Sequence, residues 1–157
     1  MVAVLAHALA LIRRDILGLP ADPERCATAA LYHDASEILT GDMPTPVKYD
    51  NPAIQEAYRQ VEAVANGKLV SMLPPELQGV YGEILNEYDP ETRRLVKAAD
   101  KLSAYIKCVE ELKAGNLEFR EAAAQTRAAL EAYDLPEVAY FMDTFMDSFS
   151  LTLDQLK

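Results

Sequence analysis

Apolar positions recur at three- and four-residue spacing along most of this chain. No stretch alternates with period two for long enough to suggest a sheet. The spacing is clearest in "RRLVKAADKLSAYIKCVEEL", where Leu95, Ala99, Leu102, Ile106 and Val109 form the main apolar stripe of a long helix. A second stripe runs through "EVAYFMDTFMDSFSL", with Val138, Phe141, Met142, Phe145, Met146 and Phe149 at helical spacing. Core packing is its simplest assignment, although Met and Phe also suit a dimer surface. Asp22-Pro23, Asn51-Pro52 and Asp89-Pro90 each set an N-cap residue before a proline at the first helical position. Gly18, Gly41 and Gly115 stand where helices should stop. The pattern predicts helices near 1–17, 23–40, 52–72, 75–87, 90–114, 117–133 and 137–147, followed by a short tail. "DMPTPVKYDNP" is the one extended loop, stiffened by its prolines, and loops of this kind carry binding groups on a rigid scaffold.

Length and composition refine this all-α picture. The 157 residues suit a single domain, 1–157, large enough to bury a proper core. A formal net charge of −10 argues against a nucleic-acid polymer as partner, since a polyanion needs a basic footprint. It leaves room for a small phosphate ester held by a metal, whose own charge dominates the local field. Cys26 and Cys108 form neither a close pair nor a CxxC motif, which points to reduced thiols. The longest apolar run, "MVAVLAHALALI", has twelve residues, where a membrane span needs about 20. Arg13 and Arg14 follow that run instead of preceding it, unlike the charge in a signal peptide. The expectation is a soluble, cytoplasmic protein with no membrane contact.

Candidate chemistry concentrates in "LYHDASEILTGDMPTP", which the helical pattern sets on the last two turns of the second helix and the loop beyond. At about 100° per residue, Glu37 lies one turn past both His33 and Asp34, so the three can face one region. The trio could be a solvated helix end with one core histidine. It could also be a partial metal site: burying each such polar group alone costs roughly 2–7 kcal/mol, and a divalent cation removes that cost. Adjacent His and Asp supply two ligands, so others must come from elsewhere. The helix after Pro90 offers Asp100, which lies off the apolar stripe near Val96 and Ala104; on periodicity alone it is a surface acid.

"LYHDASEILTGDMPTPVKY" and "LVKAADKLSAYIKCVEEL" resemble the two motifs of the HD-domain phosphohydrolases, and within them the YfbR-type 5′-deoxynucleotidases. The likeness runs from Leu5–Ala10 through "YFMDTF" to "LTLDQL". It implies an all-α HD-domain bundle of about six to seven helices that forms homodimers. It also implies hydrolysis of 2′-deoxynucleoside 5′-monophosphates with one divalent transition metal, cobalt or manganese. By this resemblance His33, Asp34 and Asp100 are metal ligands, which reverses the surface reading of Asp100, and Glu37 is the catalytic carboxylate. Asp42, Met43, Pro44 and Thr45 match the segment that holds the sugar, and Asp34 and Asp100 also face the substrate.

The resemblance has gaps. The family carries a further ligand histidine in a Ser-Glu-His stretch that would lie just before Met1, with a phosphate-binding arginine and a sugar-contacting tryptophan further upstream. This chain has no Trp, and its other histidine, His7, sits about 13 Å along a helix from the expected ligand position. His7 therefore reads as a core or interface residue. His33, Asp34 and Asp100 alone imply weak metal binding. The alternative to an enzyme is a non-catalytic HD-fold protein that binds nucleotide or a protein partner without turnover.

Overall fold

In a computed structural model, which describes residues 1–44, 47, 51–86 and 89–155, helices are the only regular elements among the described residues. The first, α1 (Val2–Leu11), runs directly into a π-helical turn, Ile12–Ile16. Next come α2 (Pro23–Leu31) and the short α3 (Glu37–Thr40). They are followed by α4 (Pro52–Ser71), α5 (Pro75–Asn86), α6 (Pro90–Lys113), α7 (Phe119–Glu131) and α8 (Pro136–Phe145). Two 3₁₀ turns, Met146–Ser150 and Leu153–Gln155, close the described chain. No helix is long and apolar enough to cross a membrane, among the described residues.

The predicted punctuation acts at the backbone. Helices α2, α4 and α6 begin at Pro23, Pro52 and Pro90. Asp22 Oδ1 accepts from the Arg25 amide at 2.9 Å, and Asn51 Oδ1 from the Ile54 amide at 3.0 Å, each satisfying a helix-start donor. At the helix ends Gly18, Gly41 and Gly115 all have positive φ. Gly41, with φ 69° and ψ 166°, occupies a region essentially restricted to glycine.

Two predicted helices need correction. The span 23–40 is broken: α2 stops at Leu31, residues 33–36 form a turn, and α3 starts only at Glu37. Through the break the hydrogen bonds tighten to i→i−3, from Ala35 to Tyr32, Glu37 to Asp34 and Ile38 to Ala35 at 3.0, 3.0 and 3.2 Å. Tyr32, His33, Asp34 and Ser36 are indifferent helix formers, and Asp and Ser side chains compete for backbone groups. At the end of the first helix, the amide of Leu17 reaches back five residues to the Ile12 carbonyl (3.0 Å), widening the last turn before Gly18.

The chain divides into two compact units, Met1–Ala30 with Pro90–Lys157, and Leu31–Asp89. In the first, α6 packs on α1, α7 and the turn Met146–Ser150, and α8 packs on α1, α7 and the π turn. Leu95, Ala99, Leu102 and Ile106 are fully buried, as the stripe predicts. Val109 is only half-buried, whereas Val96, Ala98 and Cys108 join the buried set. Fully buried Ala6 and Ala10 on α1, and Ala98 and Ala99 on α6, are short side chains of the kind that let helix axes approach closely. Val138 and Phe141 of α8 are buried, while Phe145, 5.1 Å from Phe141 between ring centroids, is exposed. Core packing thus accounts for the inner half of that stripe. His7 is half-buried on α1.

One ion cluster ties this unit together. Glu137, the second residue of α8, is completely buried, and Arg13 Nη1 donates to both of its carboxylate oxygens at 3.3 Å. Arg13 Nη2 also lies 3.0 Å from Glu91 Oε1 in the first turn of α6, and Arg13 Nε donates to the Pro20 carbonyl at 3.1 Å. In the second unit α4 packs on both α5 and α3. Among its described residues Ser36, Tyr58, Ala65 and Leu85 are buried, and Asn66 Nδ2 donates to the Leu85 carbonyl at 3.1 Å.

Arg13→Met should destabilise the protein by about 3–5 kcal/mol in urea titrations, because it leaves the Glu137 charge buried without its partner. Arg14→Met, which touches only the exposed pair with Asp15, should leave the midpoint unchanged; equal effects would remove Arg13 from its central role. Gly41→Ala should cost about 1–3 kcal/mol from backbone strain alone, since nothing lies within 4 Å of the added Cβ. An unchanged midpoint there would mean that the backbone relaxes out of its positive φ.

Candidate active site

The turn after α2 brings His33 and Asp34 together. His33 Nε2 lies 2.9 Å from Asp34 Oδ2, with the imidazole mostly covered and the carboxylate open to solvent. The two groups therefore do not occupy successive positions of an α-helix, as their spacing suggested. Where the backbone bonds tighten to i→i−3, residues three apart eclipse. Glu37, at the start of α3 and three residues beyond Asp34, thus follows Asp34 closely, and it is half-buried.

Beyond the positive-φ Gly41 the chain turns out of α3. Asp42 and Pro44 are exposed, and Met43 is half-buried. Thr45, the last of the predicted sugar-binding positions, lies outside the described residues. Asp100 is exposed on α6, as its position off the apolar stripe predicts, and it belongs to the other unit. The structure thus joins His33 and Asp34, sets Glu37 and Asp42 on the same short segment, and carries Asp100 on α6 of the other unit. Among the described residues no group of three or more His, Cys, Asp and Glu side chains gathers as a metal site.

Three tyrosines that the sequence did not single out hold this segment. Tyr32, immediately before His33, meets Tyr81 of α5 edge to face, with ring centroids 5.8 Å apart and planes at 88°. A hydrogen bond between the two phenols holds the Tyr32 hydroxyl above its ordinary pKa. At the other end, the buried Tyr58 of α4 donates to the Gly41 carbonyl at 3.3 Å. No spacing in the sequence distinguishes these tyrosines from ordinary core aromatics; only the tertiary contacts do.

An imidazole nitrogen beside a carboxylate oxygen is a donor pair suited to a divalent transition metal. The His33–Asp34 pair fits such an ion as two of its ligands. Imidazole binds metal only through an unprotonated nitrogen, so metal and proton compete for this pair.

Comparison with known proteins follows the same lines. Residues 1–149 match the family model described as 5′-deoxynucleotidase YfbR-like. The chain is 50% identical over 157 residues to the 5′-deoxynucleotidase YfbR of Escherichia coli O1:K1, covering 99% of this chain and 79% of that protein. It is 48% identical over 157 residues to a 5′-deoxynucleotidase of Photobacterium profundum, covering 99% of this chain and 81% of the relative. A crystal structure of an HD-domain phosphohydrolase from Listeria innocua superposes with a TM-score of 0.77 at 24% identity, over 94% of this chain and 72% of that one. That likeness carries the all-α HD-domain fold. With matching sequence over nearly its whole length, and with the HD pair on its turn, the chain belongs to the YfbR-like 5′-deoxynucleotidase family.

Proposed function

We propose that this protein hydrolyses 2′-deoxynucleoside 5′-monophosphates to deoxynucleoside and phosphate, using a divalent transition metal, cobalt or manganese. Identity of about half the residues with enzymes named for this reaction, over 99% of the chain, is the observation that carries the reading. The juxtaposition of His33 and Asp34 supports it. In this reading His33, Asp34 and Asp100 hold the metal. When bound, such a cation neutralises phosphate charge and acidifies water.

The remaining roles fall to the chain's own groups. In the hydrolysis a water oxygen bonds to phosphorus, the bond from phosphorus to the 5′-oxygen breaks, and the proton lost by water reaches that oxygen. Glu37, a half-buried carboxylate just beyond the HD pair, accepts the proton from water and returns it to the leaving oxygen. Asp42, exposed after the Gly41 turn, accepts a hydrogen bond from the sugar 3′-hydroxyl, with Met43, Pro44 and Thr45 lining the same contact. Once the bound sugar covers Asp42 from water, leaving that acceptor unpaired costs roughly 1–3 kcal/mol, enough to discriminate against sugars that lack the hydroxyl. Asp34 and Asp100 stand beside the phosphate. The same reading makes the enzyme a cytoplasmic homodimer, in keeping with its two buried free cysteines.

In a chain carrying the family's complete ligand set, Glu37→Gln should retain metal and nucleotide binding while lowering turnover by roughly two or more orders of magnitude in a phosphate-release assay. Near wild-type turnover would exclude Glu37 from proton transfer. Asp100→Ala should lose metal on elemental analysis, and full occupancy would end its role as a ligand. Deoxynucleoside 5′-monophosphates should be hydrolysed in preference to 3′-monophosphates; equal rates on both, or on phosphate esters without a sugar, would contradict the orientation set by Asp42.

A further inference from the structure

We propose that Tyr81 is a positioning residue for the His33–Asp34 pair, acting through Tyr32 on the turn that carries both groups. The inference rests on the metal-site reading above. The turn's backbone is held by i→i−3 bonds, Ala35 to Tyr32, Glu37 to Asp34, Ile38 to Ala35 and Leu39 to Ser36, instead of an α-helical i→i−4 ladder. Tyr32, His33, Asp34 and Ser36 are indifferent helix formers. At the start of the turn, next to His33, Tyr32 is anchored edge to face on Tyr81, 5.8 Å between centroids at 88°.

Tyr81 is itself on a firm base, because α5 packs along α4. The same α4 supplies Tyr58, whose hydroxyl holds the carbonyl of Gly41 at the far end of the segment. The stretch from Tyr32 to Gly41 is thus pinned at both ends by one helix pair, and the pin nearer the two donors is Tyr81. Groups that orient metal ligands without touching the metal characteristically change affinity by 10–100-fold when removed.

The test needs no turnover. With only two histidines in the chain, the imidazole resonances of His33 and His7 can be followed separately while manganese is titrated into the protein. His33 should broaden at lower manganese than His7. In Tyr81→Ala the manganese needed for half-broadening of His33 should rise about tenfold. In Tyr81→Phe, which keeps the ring edge, it should stay within about threefold of the unmodified chain. Circular dichroism checks that each variant is folded, and Tyr81→Leu, which keeps apolar bulk, takes the place of alanine should that variant unfold. A folded Tyr81→Ala or Tyr81→Leu that titrates like the unmodified chain would overturn the proposal, and so would an equal loss in Tyr81→Phe. If His33 in the unmodified chain broadens no more readily than His7, it is the assignment of His33 as a ligand that fails, and the positioning role falls with it.

Discussion

A buried carboxylate is the constraint around which the first unit is arranged. Glu137 has no exposed surface, and a charge in that position is tolerable only with a partner and well-formed hydrogen bonds. Arg13 supplies them, and its remaining nitrogens reach Glu91 and the Pro20 carbonyl. One guanidinium thereby joins the end of the first helix, the loop after it, the start of α6 and the start of α8. Its planar fork suits this better than a lysine would, because several acceptors are met at once from a fixed geometry. The π turn matters here too: the widened backbone from Ile12 to Ile16 carries Arg13 and hands over to the positive-φ Gly18.

The second unit solves a different problem. It must present His33, Asp34, Glu37 and Asp42 on a stretch of barely ten residues without burying all of them. The observed turn, followed by the single helical turn of α3 and the sharp exit at Gly41, keeps them on one short segment, and α4 and α5 provide the rigid backing. Val61 and Val64 on α4 and Leu77 and Val80 on α5 are exposed apolar side chains of that backing.

Much of this was legible in the sequence, and for physical reasons. The stripe Leu95, Ala99, Leu102, Ile106 follows from burial of one helix face, and Asp22, Asn51 and the positive-φ glycines act within four residues of their own position. The surface position of Asp100 followed from the same periodicity, whereas its part in chemistry came only from likeness to a family. Features decided by non-local contacts were not legible. Arg13 and Glu137 are 124 positions apart, and neither has a local signature of pairing. Tyr32 and Tyr81 read as ordinary aromatics. The break between Leu31 and Glu37 escaped because apolar spacing continues across it, while the backbone's choice between three- and four-residue hydrogen bonds depends on small differences in propensity.

The discontinuous build of the first unit has a consequence for how the protein is made. Helix α1 leaves the ribosome long before α6, its main packing partner, has been translated, and Arg13 waits longer still for Glu137. The segment Leu31–Asp89, by contrast, emerges whole. Its local contacts close small loops early, whereas the two chain ends must find each other across everything between them. Until they do, the apolar face of α1 lacks its packing partner, the kind of transiently open surface that makes an incomplete chain prone to aggregate.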